Sequence, residues 1–225
     1  MYIMPTILTT TQDDFENEMN LFSKHFSRIQ LDVADGKMAP NVTVQIPDMI
    51  ASFQAHALRI DHSVVFDFHL MVQDFEKELV NILQFSQFAK VGVILVNVSL
   101  HPNLVALKHT YPDFAIGLDV YPDAQIIDLA HHYDLSEVPA IQLLSVTPGF
   151  QGSPFKPEVL EKIEQLRDLY YKNKIFMDGG INATTIPQIV GKKHKPNFLC
   201  VGSYLTKAGA ELEERIKYLR SFQAV

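Results

Sequence analysis

Eight short apolar or β-branched runs alternate with longer stretches of helical period, and this alternation constrains the fold of the chain more than any other feature. The runs cover residues 3–8, 28–33, 64–71, 91–98, 114–120, 140–146, 174–177 and 198–201. Between them lie amphipathic segments. In 157–171, Val159, Ile163, Leu166 and Tyr170 fall on one face at three- and four-residue steps, and in 207–222 Leu212, Ile216 and Leu219 do the same. Asp13, Asp14 and Asp123 sit where a helix N-terminus favours negative charge. A repeated strand–helix unit is the pattern of a parallel sheet with helical crossovers. Eight such units in 225 residues predict an α/β fold of the closed (β/α)8 TIM barrel type, rather than an open doubly wound sheet. No G-x-G-x-x-G follows the first run to argue for the open form. One barrel domain over residues 1–225 is expected.

Composition excludes several function classes. Nineteen Lys and Arg against 26 Asp and Glu leave a net charge of −7, without the basic face of a protein that tracks nucleic-acid phosphates. Small anions stay open, because backbone N–H groups bind them without net positive charge. Cys200 is the single cysteine, which rules out an internal disulfide and a multi-cysteine zinc site. Residues 1–5 lack the basic and apolar regions of a signal peptide. The most apolar stretch, 91–100, contains Gly92 and Asn97 and has about half the length of a spanning helix. A cytoplasmic enzyme with no membrane or nucleic-acid partner is expected. The cluster Lys192-Lys193-His194-Lys195 reads as a solvated loop, with phosphate steering as the alternative.

Barrel enzymes build their sites at the C-terminal ends of the strands, so polar residues late in a run are informative. In Ile29-Gln30-Leu31-Asp32-Val33, alternation puts Ile29, Leu31 and Val33 under the helices and points Gln30 and Asp32 into the barrel. His69 lies near the end of the third run and Asp178 follows the seventh. Taken singly, Asp178 before Gly179-Gly180 is equally a turn residue, and His69 a satisfied core histidine. Asp67 is a barrel or surface polar residue without an assigned role, Asp35-Gly36 a turn, and His131-His132 exposed on a helix. Convergence changes the reading, since Asp32, His69 and Asp178 come from three strands to the same end. Glycine loops lie beside them: 145–152 after the sixth run, Gly179-Gly180 after the seventh and Gly202-Ser203 after the eighth. Such loops let backbone approach an anion.

These segments resemble the ribulose-phosphate 3-epimerase family from Pro5 to about Leu205. The matching motifs are Pro5-Thr6-Ile7-Leu8, Leu31-Asp32-Val33-Ala34-Asp35-Gly36 with Ala39-Pro40-Asn41, and His69-Leu70-Met71-Val72. They continue in Ser145-Val146-Thr147-Pro148-Gly149-Phe150-Gln151-Gly152, Val159-Leu160-Glu161-Lys162-Ile163 and Met177-Asp178-Gly179-Gly180-Ile181-Asn182. The resemblance implies a ribulose-phosphate-binding barrel that epimerises a pentulose 5-phosphate, such as D-ribulose 5-phosphate, or a hexulose 6-phosphate. The reaction inverts C3 by two-base proton transfer through a metal-stabilised enediolate. It implies Asp32 and Asp178 as the acid/base pair, and Asp32, His69, Asp178 and the position of Gln30 as the shell of a divalent metal ion (Zn, Mn, Fe or Co). Thr6, Gly149, Phe150, Gln151, Gly152, Gly179, Gly180, Gly202 and Ser203 would hold the sugar phosphate. A homo-oligomer is implied as well.

The chain departs from the family at several places. Gln30 stands where the family has a second metal-binding histidine, and a neutral amide is a poor zinc ligand beside imidazole or carboxylate. Thr6 replaces a serine, Ala34 and Leu144 replace methionines, and Lys37-Met38 replace a His-Phe pair. Asn97 aligns with a histidine and Tyr121-Pro122 with Asn-Pro. Two further readings follow: a non-catalytic sugar-phosphate-binding barrel, and a decarboxylase or aldolase of the related barrels. The latter use an Asp-x-Lys-x-x-Asp strand, a spacing that Asp32 to Lys37 does not reproduce.

Overall fold

The computed structural model describes residues 1–148 and 152–223. Its first half runs β1 (Tyr2–Ile7), α1 (Gln12–Phe22), β2 (Arg28–Ala34), α2 (Ile46–Gln54), β3 (Val65–Met71), α3 (Phe75–Phe85), β4 (Lys90–Asn97) and α4 (Leu104–Thr110). The second half runs β5 (Ala115–Val120), α5 (Ile126–His132), β6 (Ala140–Leu144), α6 (Glu161–Asp168), β7 (Lys174–Asp178), α7 (Ile186–Val190), β8 (Phe198–Val201), α8 (Ser203–Thr206) and α9 (Leu212–Arg220). Each strand pairs in parallel with the next, and β8 returns to β1, so the eight strands among the described residues close into a barrel. The expected (β/α)8 architecture is the observed one. No helix among the described residues is long and apolar enough to cross a membrane.

Strand alternation separates two cores. Ile29, Leu31 and Val33 of β2, with Phe66, Phe68 and Leu70 of β3, face outward and pack beneath the helices against Phe15, Met19, Leu79 and Ile82. Each such fully buried side chain stabilises the fold by roughly 1.5–3 kcal/mol. The lower barrel interior is filled by Met4, Val93, Leu95, Ala140, Phe176, Phe198 and Cys200. There the rings of Phe176 and Phe198 stack 4.4 Å apart. Beside them Arg28 forms a two-pronged bond to Asp67, at 2.6 and 2.7 Å, with its guanidinium 4.8 Å from the centre of the Phe198 ring. A Cβ at Gly92 would lie 2.3 Å from Asp67 Oδ1, so only glycine fits there. The barrel interior is thereby plugged beneath a surface hollow at the strand N-termini that Tyr2, Arg28, Val65 and Lys174 line, and the glycine loops lie at the strand C-termini.

Two local expectations are corrected, and the basic cluster lies in the expected loop. Segment 157–171 begins as a 3-10 turn, Pro157–Leu160, and its α-helix ends at Asp168. Tyr170 then takes φ +60° and is 84 % exposed, whereas Tyr171 is 2 % exposed. The Tyr171 hydroxyl bonds the carbonyls of Val138 and Lys174, so breaking the helical period moved the buried aromatic by one residue. Asp123 lies ahead of α5 rather than in its first turn, while Asp13 and Asp14 occupy the first turn of α1. Lys192 and His194 pair with Glu161 and Glu164 of α6 in the loop entering β8, at the end of the barrel opposite the glycine loops.

Candidate active site

Register brings the chemical residues together. Asp32 is the direct partner of His69 across β2 and β3. Thr6 of β1 faces Gln30, and Asp178, the last residue of β7, lies between Leu144 of β6 and Cys200 of β8. His69 Nδ1 is 3.2 Å from Asp32 Oδ1 and 3.5 Å from Asp178 Oδ2. The Gln30 amide donates to the same two oxygens, at 3.1 and 3.3 Å. Its carbonyl accepts from the Cys200 thiol at 3.4 Å. Gln142 donates to Asp178 Oδ2 at 3.4 Å. Asp32, His69, Asp178 and Gln30 are all buried.

Two acidic groups crowded away from water cannot both ionise freely. Burial first, then the Asp32 carboxylate, push Asp178 up to about 8. Burial alone would lower His69, yet the carboxylates of Asp119 and Asp32 outweigh it and hold the imidazole well above its ordinary value. Burial, then Asp178, raises the Cys200 thiol and keeps it inert.

Above this group opens a cavity of about 510 Å³, counting its open side. Thr6, Gly152, Gly179, Gly180, Gly202 and Ser203 line it together with Asp32, His69 and Asp178. Gln30 lies beneath that floor. Gly149, Phe150 and Gln151 fall outside the described residues. Gly179 (φ +102°) and Gly180 (φ +66°) adopt conformations closed to other residues at low cost. A Cβ on Gly179 would also lie 2.6 Å from Val146. Ser145 bonds the carbonyls of Asp178 and Gly179, and Asn182 and Thr185 hold that of Gly180, so all three peptide planes are fixed.

The donor set fits a divalent ion. One ligand atom from each of Asp32, His69 and Asp178 lies within 4.8 Å of the others. One imidazole and two carboxylates leave coordination positions for water or substrate, as in catalytic rather than structural sites. Gln30 presents its NH2 to the carboxylates, and its oxygen would reach an ion only with the amide turned over.

Three residues escaped the sequence reading. Asp119 of β5, fully buried, stands 3.3 Å from His69 Nε2. Asn97, noted only as a departure from the family, donates to Asp119 at 2.9 Å. Gln142 holds Asp178 from β6. The signal was present, since the alternation in Gly117-Leu118-Asp119-Val120 and Ala140-Ile141-Gln142 points Asp119 and Gln142 inward, as it does Gln30 and Asp32.

The fold and site define a closed α/β barrel with a carboxylate–imidazole centre beneath glycine loops after strands six, seven and eight. Residues 2–206 match the ribulose-phosphate 3-epimerase family model, and the chain belongs to that family. It is 27% identical over 213 residues to a ribulose-phosphate 3-epimerase of Bacillus subtilis, covering 89% of this chain and 90% of that protein. It is 26% identical to one of Encephalitozoon cuniculi, covering 96% and 90%. Among solved structures, the fold is similar to a 3-keto-L-gulonate-6-phosphate decarboxylase of Vibrio cholerae (TM-score 0.61, 15% identity, 97% of both chains covered). It is equally similar to a tryptophan synthase complex of Pyrococcus furiosus (TM-score 0.61, 12% identity, 99% of this chain and 98% of that one).

Proposed function

We propose that this chain epimerises a ketose phosphate at C3, with D-ribulose 5-phosphate as the first substrate to test and a hexulose 6-phosphate as the second. One observation carries the reading: two buried carboxylates from separate strands, Asp32 of β2 and Asp178 of β7, flank His69 Nδ1 at the floor of a glycine-rimmed cavity. Inversion at carbon needs one group to remove the proton and another, on the opposite face, to deliver one. Asp32 takes the C3 proton as its carboxylate becomes a carboxylic acid, and Asp178 delivers its proton from the other side. The reverse reaction exchanges the roles. Gln30 and Gln142, bonded to these carboxylates, keep them aimed. A divalent ion held by Asp32, His69 and Asp178 would supply Lewis-acid stabilisation of the negative charge that develops on the substrate oxygens. The backbone of Gly152, Gly179, Gly180, Gly202 and Ser203 binds the phosphate, with Thr6 lining the sugar side; Gly149, Phe150 and Gln151, outside the described residues, are assigned to the phosphate by the family resemblance alone.

A second reading is a sugar-phosphate-binding barrel without turnover. The Gln30 amide favours it, because its NH2 offers the carboxylates a donor where a metal ligand would present a lone pair. Solvent deuterium wash-in at C3, followed by NMR with D-ribulose 5-phosphate or D-allulose 6-phosphate and added Zn, Mn, Fe or Co, separates the two. Exchange with epimer formation supports the epimerase. Saturable binding with no exchange under any of these ions leaves only the binding protein.

A further inference from the structure

Behind His69, on the side away from the two catalytic carboxylates, a chain of polar groups runs from the exposed Ser99 to the buried Asn97 and Asp119, and its donor and acceptor roles are fixed from that outer end. Ser99 donates to Asn97 Oδ1 twice, from its N–H at 3.0 Å and its hydroxyl at 2.7 Å. Those two bonds settle which way the Asn97 amide faces, since its oxygen must accept. Its NH2 therefore points across the β4–β5 register pair to Asp119 Oδ2, at 2.9 Å. The same Oδ2 lies 3.3 Å from His69 Nε2. A carboxylate that already accepts from Asn97 can only accept again, so His69 Nε2 must carry hydrogen toward it. His69 Nε2 and Asp119 Oδ1 are each buried without an aligned hydrogen-bond partner, and Asp119 Oδ2 at 3.3 Å is the acceptor at hand for a proton on Nε2.

We infer that Asp119, oriented by Asn97 and Ser99, is a positioning residue that keeps the proton of His69 on Nε2, so that Nδ1 presents its lone pair to the space between Asp32 and Asp178. The inference rests on the reading that this space receives a divalent ion. Asp119 is no ligand itself, because it meets the opposite nitrogen of the ring. A carboxylate behind a ligating imidazole fixes the tautomer and strengthens the ligand. Here it offsets part of the weakening that Gln30 introduces in front.

The test uses the full chain labelled with 15N-histidine, with Zn2+ as the probe ion. Asp119→Asn keeps the shape of the side chain and an oxygen for the Asn97 NH2, but removes the negative charge that Nε2 faces. Asn97→Ala removes the donor that orients Asp119 and is the fallback should the first variant not fold. In the Zn2+-loaded wild type, 15N shifts should show hydrogen on Nε2 and nitrogen-bound metal at Nδ1. Calorimetric Zn2+ affinity should fall about 10–100-fold in Asp119→Asn and by less in Asn97→Ala. In both variants the exchange-protected Hε2 proton should weaken or vanish. A Zn2+-loaded wild-type ring with its proton on Nδ1, or a Zn2+ affinity and Hε2 signal unchanged by both variants, overturns the inference. A wild type that takes up no Zn2+, Mn2+ or Co2+ defeats the metal reading separately. The Asp119–His69 contact then still stands if the Hε2 proton is protected in the wild type and less protected in Asp119→Asn and Asn97→Ala, and falls if it is not.

Discussion

The barrel buries charge at both ends, and the two ends treat it differently. At the bottom, Asp67 accepts two bonds from Arg28 and one from the Val93 N–H at 2.6 Å. Opposite charge, planar geometry and a glycine-made gap close that site. At the mouth, Asp32, Asp119 and Asp178 surround one histidine, with amide donors supplying what hydrogen bonding they can. Like charges remain crowded there, and Asp178 is pushed up to about 8 by burial and by Asp32. A satisfied charge pair plugs the fold, whereas an unsatisfied group of carboxylates is poised for an ion or a proton. Stability and chemistry are thus separated along the barrel axis.

Substitutions at the two ends should fail in different ways. The largest effect is expected from Asp178→Asn. C3 deuterium exchange should drop by about two to four orders of magnitude, the loss typical of a missing acid/base group. Its thermal midpoint should stay level at neutral pH and rise at pH above about 8, where Asp178 would otherwise carry a buried charge beside Asp32. A variant that exchanges at the wild-type rate would refute the two-base assignment. Arg28→Met should do the reverse. Stranding Asp67 costs about 3–5 kcal/mol in denaturant unfolding, while the folded fraction keeps the wild-type exchange rate. Equal stability would mean that Arg28 contributes nothing net at the bottom.

A smaller change sharpens the mouth side of the contrast. Gln30→His replaces the amide with a stronger ligand and should tighten Zn2+ binding by about tenfold or more. An unchanged affinity would remove this position from the metal shell. The smallest effect concerns Glu18, a carboxyl on α1 outside both clusters. Burial, then Asp14, push it from 4.5 to about 7, and its Oε2 has no partner. Because its folded value is raised, its contribution to stability is full below about pH 4.5 and is lost as the pH rises through about 7. Glu18→Gln should therefore stabilise the protein by roughly 1–2 kcal/mol at pH 8, allowing for its partial exposure, and hardly at all at pH 4. Equal gains at both pH values would show that its ionisation is not responsible.

The sequence by itself determined the barrel, its strands to within about two residues, and the meeting of Asp32, His69, Asp178 and the glycines at one end. It could do so because period-two and period-3.6 patterns are local, and because a parallel barrel sends every strand's C-terminus to the same mouth. It misplaced the buried tyrosine at 170, since a left-handed residue after a helix resets the face that follows. Only the tertiary structure decided that Asp67 belongs to Arg28, 39 residues away, and that Asp119 and Asn97 stand behind His69. Alternation tells which side of the sheet a residue faces but not its height in the barrel or its neighbour across the interior. Those depend on strand stagger and on how the interior side chains fill the space together.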